Sequence, residues 1–361
     1  MTPPGPVTPS APEPDGAALP GTPAVVTARR RFTRREQLLG ATVLVLLGSV
    51  PLWPGAVAAF VLDVTVVAVL VRAWAAATAF SAAPFLAGAL PAGVGTGAWW
   101  LLVARLGVDP LSAVVAAGAV AAVVAAPVGV VLLRLAPSFT ALGGLVAGAA
   151  AASVAAALTG DVAGKADRFR VATGLGAGPR RWCAIWLALA LFAAATAVVR
   201  VLGRSRAALA VAAWRDDPEA ASTLGIRPER ARLAVWTGAA GATGAAAAVV
   251  ALAAGSVSVQ EAFDVRLWVV VPFVAAGLGG TRTMVGPVLG AMALVLAQRV
   301  TGPAAALAGA AVVAALVAMV LPAGPDDYLV ARVAPGVAAR LRARVGSAGS
   351  RPDPGSPPSA G

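Results

Sequence analysis

Long apolar runs separated by short polar breaks fill the chain from about residue 37 to residue 321. The runs fall at roughly 37–53, 56–80, 84–104, 111–133, 138–159, 181–202, 232–254, 266–280, 285–299 and 303–321. Most are near the ~20 residues that an α-helix needs to cross a bilayer. The pattern therefore predicts an all-α fold: a polytopic membrane helical bundle of about ten transmembrane segments. It divides the chain into a tail at 1–35, a membrane domain at 36–325 and a second tail at 326–361. Two runs, 266–280 and 285–299, are short for full spans. Pro272, Gly277, Gly279, Gly280, Gly286 and Pro287 are helix breakers within them. Broken helices at membrane depth are tolerated where they face protein or a water-filled path. The pair reads either as a re-entrant element or as a tight turn between two short helices.

One long polar interval interrupts the apolar pattern, from Ala208 to Trp236. Arg215, Asp216, Asp217, Glu219, Arg227, Glu229, Arg230 and Arg232 crowd into it. Asp216 and Asp217 stand ahead of Pro218, a good first helical residue, so a carboxylate is placed to cap free N–H groups. Glu219 complements the helix dipole, and Gly225 offers the left-handed residue that ends a helix. The spacing predicts a two-turn helix, with a second helix beginning near Glu229. Ala220, Ala221, Leu224 and Ile226 supply a short apolar stripe. Such a piece either fits a groove in another protein or is a cytosolic loop that folded locally.

Composition agrees with a membrane bundle. Hydrophobic residues make up 59% of the chain and charged residues 12%, with a mean hydropathy of +0.84; a soluble domain carries roughly twice that charge. The apolar bulk is largely Ala, Val, Leu and Gly, and small residues let helix backbones approach closely in lipid. The net charge of +12 comes without a basic patch interleaved with aromatics, so nucleic acid is not the expected partner. The arginines cluster beside apolar runs, which is the signature of topology. Arg29, Arg30, Arg31, Arg34 and Arg35 precede the first run and hold the N-terminus in the cytoplasm. Six spans then return the chain to the cytoplasm at Arg204. Four more bring Arg332, Arg340, Arg342 and Arg344 to the same side. The loop at 160–180 is expected outside although it carries Lys165, Arg168, Arg170 and Arg180. The Arg-for-Lys usage and the Ala/Gly richness point to a GC-rich bacterial genome.

Chemistry that makes or breaks bonds has no constellation here. The chain has no histidine and one cysteine, Cys183, which removes the commonest metal ligand and any internal disulfide. No catalytic residue, metal site or cofactor is expected. Lys165, the only lysine, lies in Gly164-Lys165-Ala166 and does not complete a phosphate-binding loop, so the chain is not expected to bind ATP by that route. Two charges, Asp63 and Arg72, fall inside the second apolar run. A mid-bilayer charge costs roughly 2.5–3.5 kcal/mol on insertion scales and normally faces the bundle interior or water. They are on opposite faces of a straight helix, so they do not pair with each other. Both are candidates for contact with a charged substrate; pairing with another helix is the alternative.

Two motifs resemble a known family. Arg215 to Ile226 reads R-D-D-P-E-A-A-S-T-L-G-I, and Leu278-Gly279-Gly280 is followed by Gly286-Pro287-Val288-Leu289-Gly290-Ala291. Together they resemble the coupling loop and the Gly-rich segment of ABC-importer permeases of the branched-chain amino-acid type, in order and in spacing, from about Arg204 to Arg299. The resemblance implies a cytosolic coupling helix in a loop at 203–232, with Arg215, Asp216, Asp217, Glu219, Ala220, Ala221, Leu224 and Gly225 contacting an ATPase. It marks Gly279, Gly280, Gly286, Pro287 and Gly290 as the re-entrant candidate, although Arg282 stands where the family has its usual third glycine. Before the coupling loop the likeness thins. Of the family's polar G-Q-x-S-x-G-H stretch near the translocation path, Ser81 and Phe85 are the remnants, which adds Ser81 to the substrate candidates. The implied partners are a second permease subunit, two ATP-binding cassette ATPase subunits, an extracytoplasmic binding protein and the bilayer of a bacterial inner membrane. Branched-chain or related amino acids are the implied cargo. Sugars, nucleosides and urea-like amides are carried by other members of the wider family. An ion-coupled transporter fits less well, because no internal repeat with paired broken helices is apparent and intramembrane acids are nearly absent.

Overall fold

The structure is a computed structural model that describes residues 54–81, 83–159, 169–170, 173–281 and 285–302. All of these belong to the unit Pro51–Gly361. The expected spans at 37–53 and 303–321, both tails with their arginine clusters, Lys165, Arg168 and Arg282 lie outside the described residues.

A helix stands at each of the eight remaining apolar runs. Among the described residues, six stretches are long and apolar enough to cross a membrane: α1 (Gly55–Ser81), α3 (Pro110–Leu132), α4 (Pro137–Thr159), α5 (Ala177–Gly203), α8 (Glu229–Ala254) and the stretch Val259–Gly279. The last comprises α9 (Val259–Ala262), a π-helical segment (Arg266–Val270) and α10 (Val271–Gly279). Two apolar helices are shorter, α2 (Ala89–Ala104) and α11 (Gly286–Thr301). Two polar helices, α6 (Arg206–Asp216) and α7 (Pro218–Thr223), lie between α5 and α8. The exceptions to an all-helical fold among the described residues are two-residue strands, β1 (Phe169–Arg170) and β2 (Ser256–Val257), paired antiparallel.

Local sequence sets the ends. Asp109 caps α3, its Oδ2 accepting from the amides of Leu111 and Ser112 at 3.1 and 3.0 Å, with Pro110 in the first turn. Trp99, fully buried in α2, donates its Nε1–H to the Pro110 carbonyl at 3.1 Å and ties α2 to the start of α3. Pro272 was expected to break a helix and does not. It lacks an N–H and crowds the carbonyl four residues back, so the preceding turn widens: the amide of Val271 reaches the carbonyl of Arg266. The helix continues in a shifted register and ends at Gly280, whose φ is +75°.

The core is built on small residues. α8 packs against α1, α2, α3 and α5. At its crossings Gly95 of α2 lies on the backbone of Gly244, and Gly118 of α3 on the Gly241 carbonyl and Ala245. Any added Cβ there would strike the neighbouring helix, so glycine is what allows these approaches. The outward faces are apolar: Val115 and Val123 of α3, Val146 and Leu158 of α4 and Val201 of α5 are each at least 67% exposed. Without water to drive them inward, such side chains suit contact with lipid tails.

Candidate functional site

The polar interval folds as two short helices joined at one residue. Ser205 caps α6 by accepting from the Ala208 amide at 3.3 Å. Asp217 ends α6 and caps α7: its Oδ1 accepts from the amides of Glu219 at 3.0 Å and Ala220 at 2.9 Å. Pro218 occupies the first helical position. At the far end Gly225 is left-handed, with φ +73°. The Gly225 amide bonds the Ser222 carbonyl and the Ile226 amide bonds the Ala221 carbonyl, both at 3.0 Å. That double closure satisfies carbonyls a helix end otherwise leaves open. The expected cap, stop and restart at Glu229 are all present.

The apolar stripe divides. Ala221, expected on the face offered to a partner, is 3% exposed and faces inward; in a six-residue helix one side must rest on the protein that carries it. Ile226 is half-buried. The outward face consists of Glu219, Ala220, Ser222, Thr223 and Leu224, the last 77% exposed. Helix α6 itself had not been expected as a separate element.

Both flanks of α7 reach the end of α1. Arg215, in the last turn of α6, donates from Nη1 to the Ala79 carbonyl at 3.1 Å. Arg232, in the first turn of α8, donates from Nη2 to the Ser81 carbonyl at 3.2 Å. Arg232 is 8% exposed, and its guanidinium lies over the Trp214 ring, 4.2 Å from the centroid. Phe80, Val211 and Val235 close the space beneath, with Ala76, Leu202, Ala208 and Ala231 packed around them. No local pattern marks Arg232 and Trp214 as a pair, and the carbonyl that Arg232 bonds lies 151 positions away in the chain.

The Gly-rich segment forms a helical hairpin against α1. Gly279 abuts the Gly286 carbonyl and the Gly290 amide, and Gly290 abuts the Ala275 carbonyl, so the backbones of α10 and α11 touch where both carry glycine. Gly286 and Pro287, at the start of α11, are buried. The turn meets the middle of α1: Arg72 donates from Nη1 to the Thr281 carbonyl at 3.2 Å. The other end of α11 meets the start of α1, where Arg299 bonds the Ala56 carbonyl at 3.4 Å and the Asp63 carboxylate at 2.9 Å. α11 therefore runs beside residues 56–72 of α1, a length of about 24 Å. The last nine residues of α1 extend beyond the turn.

The three substrate candidates do not meet. Asp63 is ion-paired to Arg299 near one end of α1, and Ser81 is its last residue, about 27 Å away. The Ser81 hydroxyl is used locally, donating to the Ala83 carbonyl at 2.8 Å and accepting from the Ala83 amide at 3.3 Å. Phe85 stacks edge-on with Trp236 at 5.5 Å. Arg72 alone of the three lines a cavity of about 710 Å³ bounded by α1, α3, α5 and α8. The rest of that lining is uncharged, from Ala, Val, Leu and Gly. Arg181, in the first turns of α5, donates from Nη1 to the Gly55 carbonyl at 3.3 Å.

Long apolar helices packed through glycine, with a backbone-to-backbone hairpin and a capped polar helix beside them, define a polytopic helical membrane protein. No curated protein and no solved structure matches the chain. Residues 38–323 match the family described as the branched-chain amino acid transport system permease component, and the chain belongs to that family. It is a transport component of ABC transporters, a class that works with ATPase and other partners.

Proposed function

We propose that this chain is the membrane-spanning subunit of a binding-protein-dependent importer, that it moves branched-chain or related amino acids, and that it is powered by separate ATPases docking at α7. The observation that carries this reading is α7 itself. It is a short helix capped at both ends, held inward by Ala221 and presenting Ala220 and Leu224 outward, beside the end of a long apolar bundle. In the membrane the Ser81 end of α1 and the Arg204–Arg232 loop face the cytoplasm, with the tails at 1–35 and 326–361. The Gly55 end faces outward, where a binding protein delivers cargo. Ten segments cross or enter the bilayer. The hairpin at 266–299 enters from outside and turns at the depth of Arg72, a reading supported by the Thr281 and Ala56 contacts. Arg72, the charged residue on the cavity wall, is the candidate contact for the substrate carboxylate, the apolar walls suiting an aliphatic side chain. Switching between outward- and inward-facing states follows from ATPase closure acting on α7, in an assembly of two permease and two ATPase subunits.

The test is co-purification of the ATPase with Ala220→Arg and with Leu224→Asp, alongside leucine uptake. Both residues are exposed, so both variants are expected to fold and insert, yet to lose ATPase and uptake together. Retention of both functions in both variants excludes α7 as the docking element.

A further inference from the structure

Nothing in the docking reading requires the segment that carries α7 to be fastened to any particular span, yet it is fastened twice to one. The last four carbonyls of an α-helix lack intrahelical partners and carry partial negative charge. At the end of α1 two of them, Ala79 and Ser81, accept from the guanidinium groups of Arg215 and Arg232. These arginines flank α7 in sequence, one in the last turn before it and one in the first turn after it. A displacement of α7 therefore pulls on the same helix end from both sides. Arg232 is not a mobile surface charge: it is buried and layered on Trp214, the neighbour of Arg215. A guanidinium can stack on a ring and donate in its own plane at once, which an ammonium cannot. Further along α1, about 13–14 Å from Ser81, Arg72 holds the carbonyl of Thr281 at the hairpin turn.

We propose that Arg215 and Arg232 are positioning residues that fasten the α6–α7–α8 segment to the end of α1, so that motion imposed on α7 is delivered along α1 to the hairpin turn at Thr281. The proposal rests on the docking reading above and goes beyond it by naming the residues that connect docking to transport. A contact chain by itself does not demonstrate coupling, so the test separates coupling from docking.

The whole assembly, with ATPase and binding protein, is reconstituted in proteoliposomes with wild type, Arg215→Ala, Arg232→Lys or the double variant. Three quantities are read: ATPase retained, ATP hydrolysed and labelled leucine taken up. Arg215 is exposed, so its truncation leaves the fold intact, and its guanidinium, expected at the ATPase, is instead turned to the Ala79 carbonyl; Arg232→Lys keeps a cation in the buried site while removing the planar group. Each variant is expected to retain the ATPase and hydrolyse ATP within about twofold of wild type, while leucine moved per ATP falls about tenfold, within the range of coupling substitutions. Normal transport per ATP in the double variant overturns the proposal. Loss of the ATPase in parallel with uptake also overturns it, because the arginines would then merely hold α7 in shape for docking. Failure of the wild-type chain to hold an ATPase overturns the docking reading itself, and is distinguished by that control.

Discussion

Asp217 is the residue on which the short helix turns, and its replacement gives the sharpest check on the local physics. A six-residue helix makes few internal hydrogen bonds and is marginal by itself. Pro218 has no N–H to offer, so the first open donors are the amides of Glu219 and Ala220. Asp217 Oδ1 takes both, at 3.0 and 2.9 Å, while the ladder begins with the Ala221 amide on the Asp217 carbonyl at 3.0 Å. Asp217→Ala frees both amides to water, and loss of such a cap costs about 1 kcal/mol. That corresponds to about a fivefold rise in the opened population. Amide hydrogen exchange across residues 219–223, followed by mass spectrometry on bilayer-reconstituted protein, should accelerate by about that factor, with α8 amides unchanged as an internal reference. Asn caps about as well as Asp, so Asp217→Asn should exchange within about twofold of wild type. ATPase affinity should fall by no more than the increase in opening. Exchange in Asp217→Ala equal to wild type would refute the capping account. So would Asp217→Asn exchanging as fast as Asp217→Ala, since charge and not geometry would then be responsible.

Two further outcomes test the bundle and its orientation. Gly290→Leu places a side chain against the Ala275 carbonyl and the Gly279 backbone, neither of which can rotate away; overpacking of this kind costs about 1–3 kcal/mol. The thermal midpoint in detergent should drop clearly, with Gly290→Ala intermediate, and an unchanged midpoint in Gly290→Leu would mean that α10 and α11 do not touch there. Ser222→Cys on a Cys183→Ala background should resist an impermeant maleimide in intact cells and react after permeabilisation. Rapid labelling from outside would invert the proposed topology.

Much of this architecture is written in local patterns. Apolar runs near the bilayer length mark helices because each must satisfy its own backbone in lipid. The Asp217 cap, the Pro218 start and the Gly225 stop involve residues within a turn of one another, so neighbours in the chain decide them. The same holds for the glycine and proline cluster that turns the hairpin. Pro272 shows the limit of local reading: its effect depends on whether surrounding helices hold the chain straight, and here the register shifts where a break was expected.

What only the tertiary structure decided is which side of each element is used, and by whom. Ala221 turns inward while Ala220 and Leu224 face out because α7 must rest on something, and six residues do not say which side is down. Asp63 goes to Arg299, Arg72 to Thr281, and Arg215 and Arg232 to the end of α1. All four of those arginines bind backbone carbonyls, Arg299 adding that of Ala56 to the Asp63 carboxylate, and every residue carries one. No side chain in the sequence marks such a partner, so it becomes visible only when the helices have packed and their unpaired ends have come within reach.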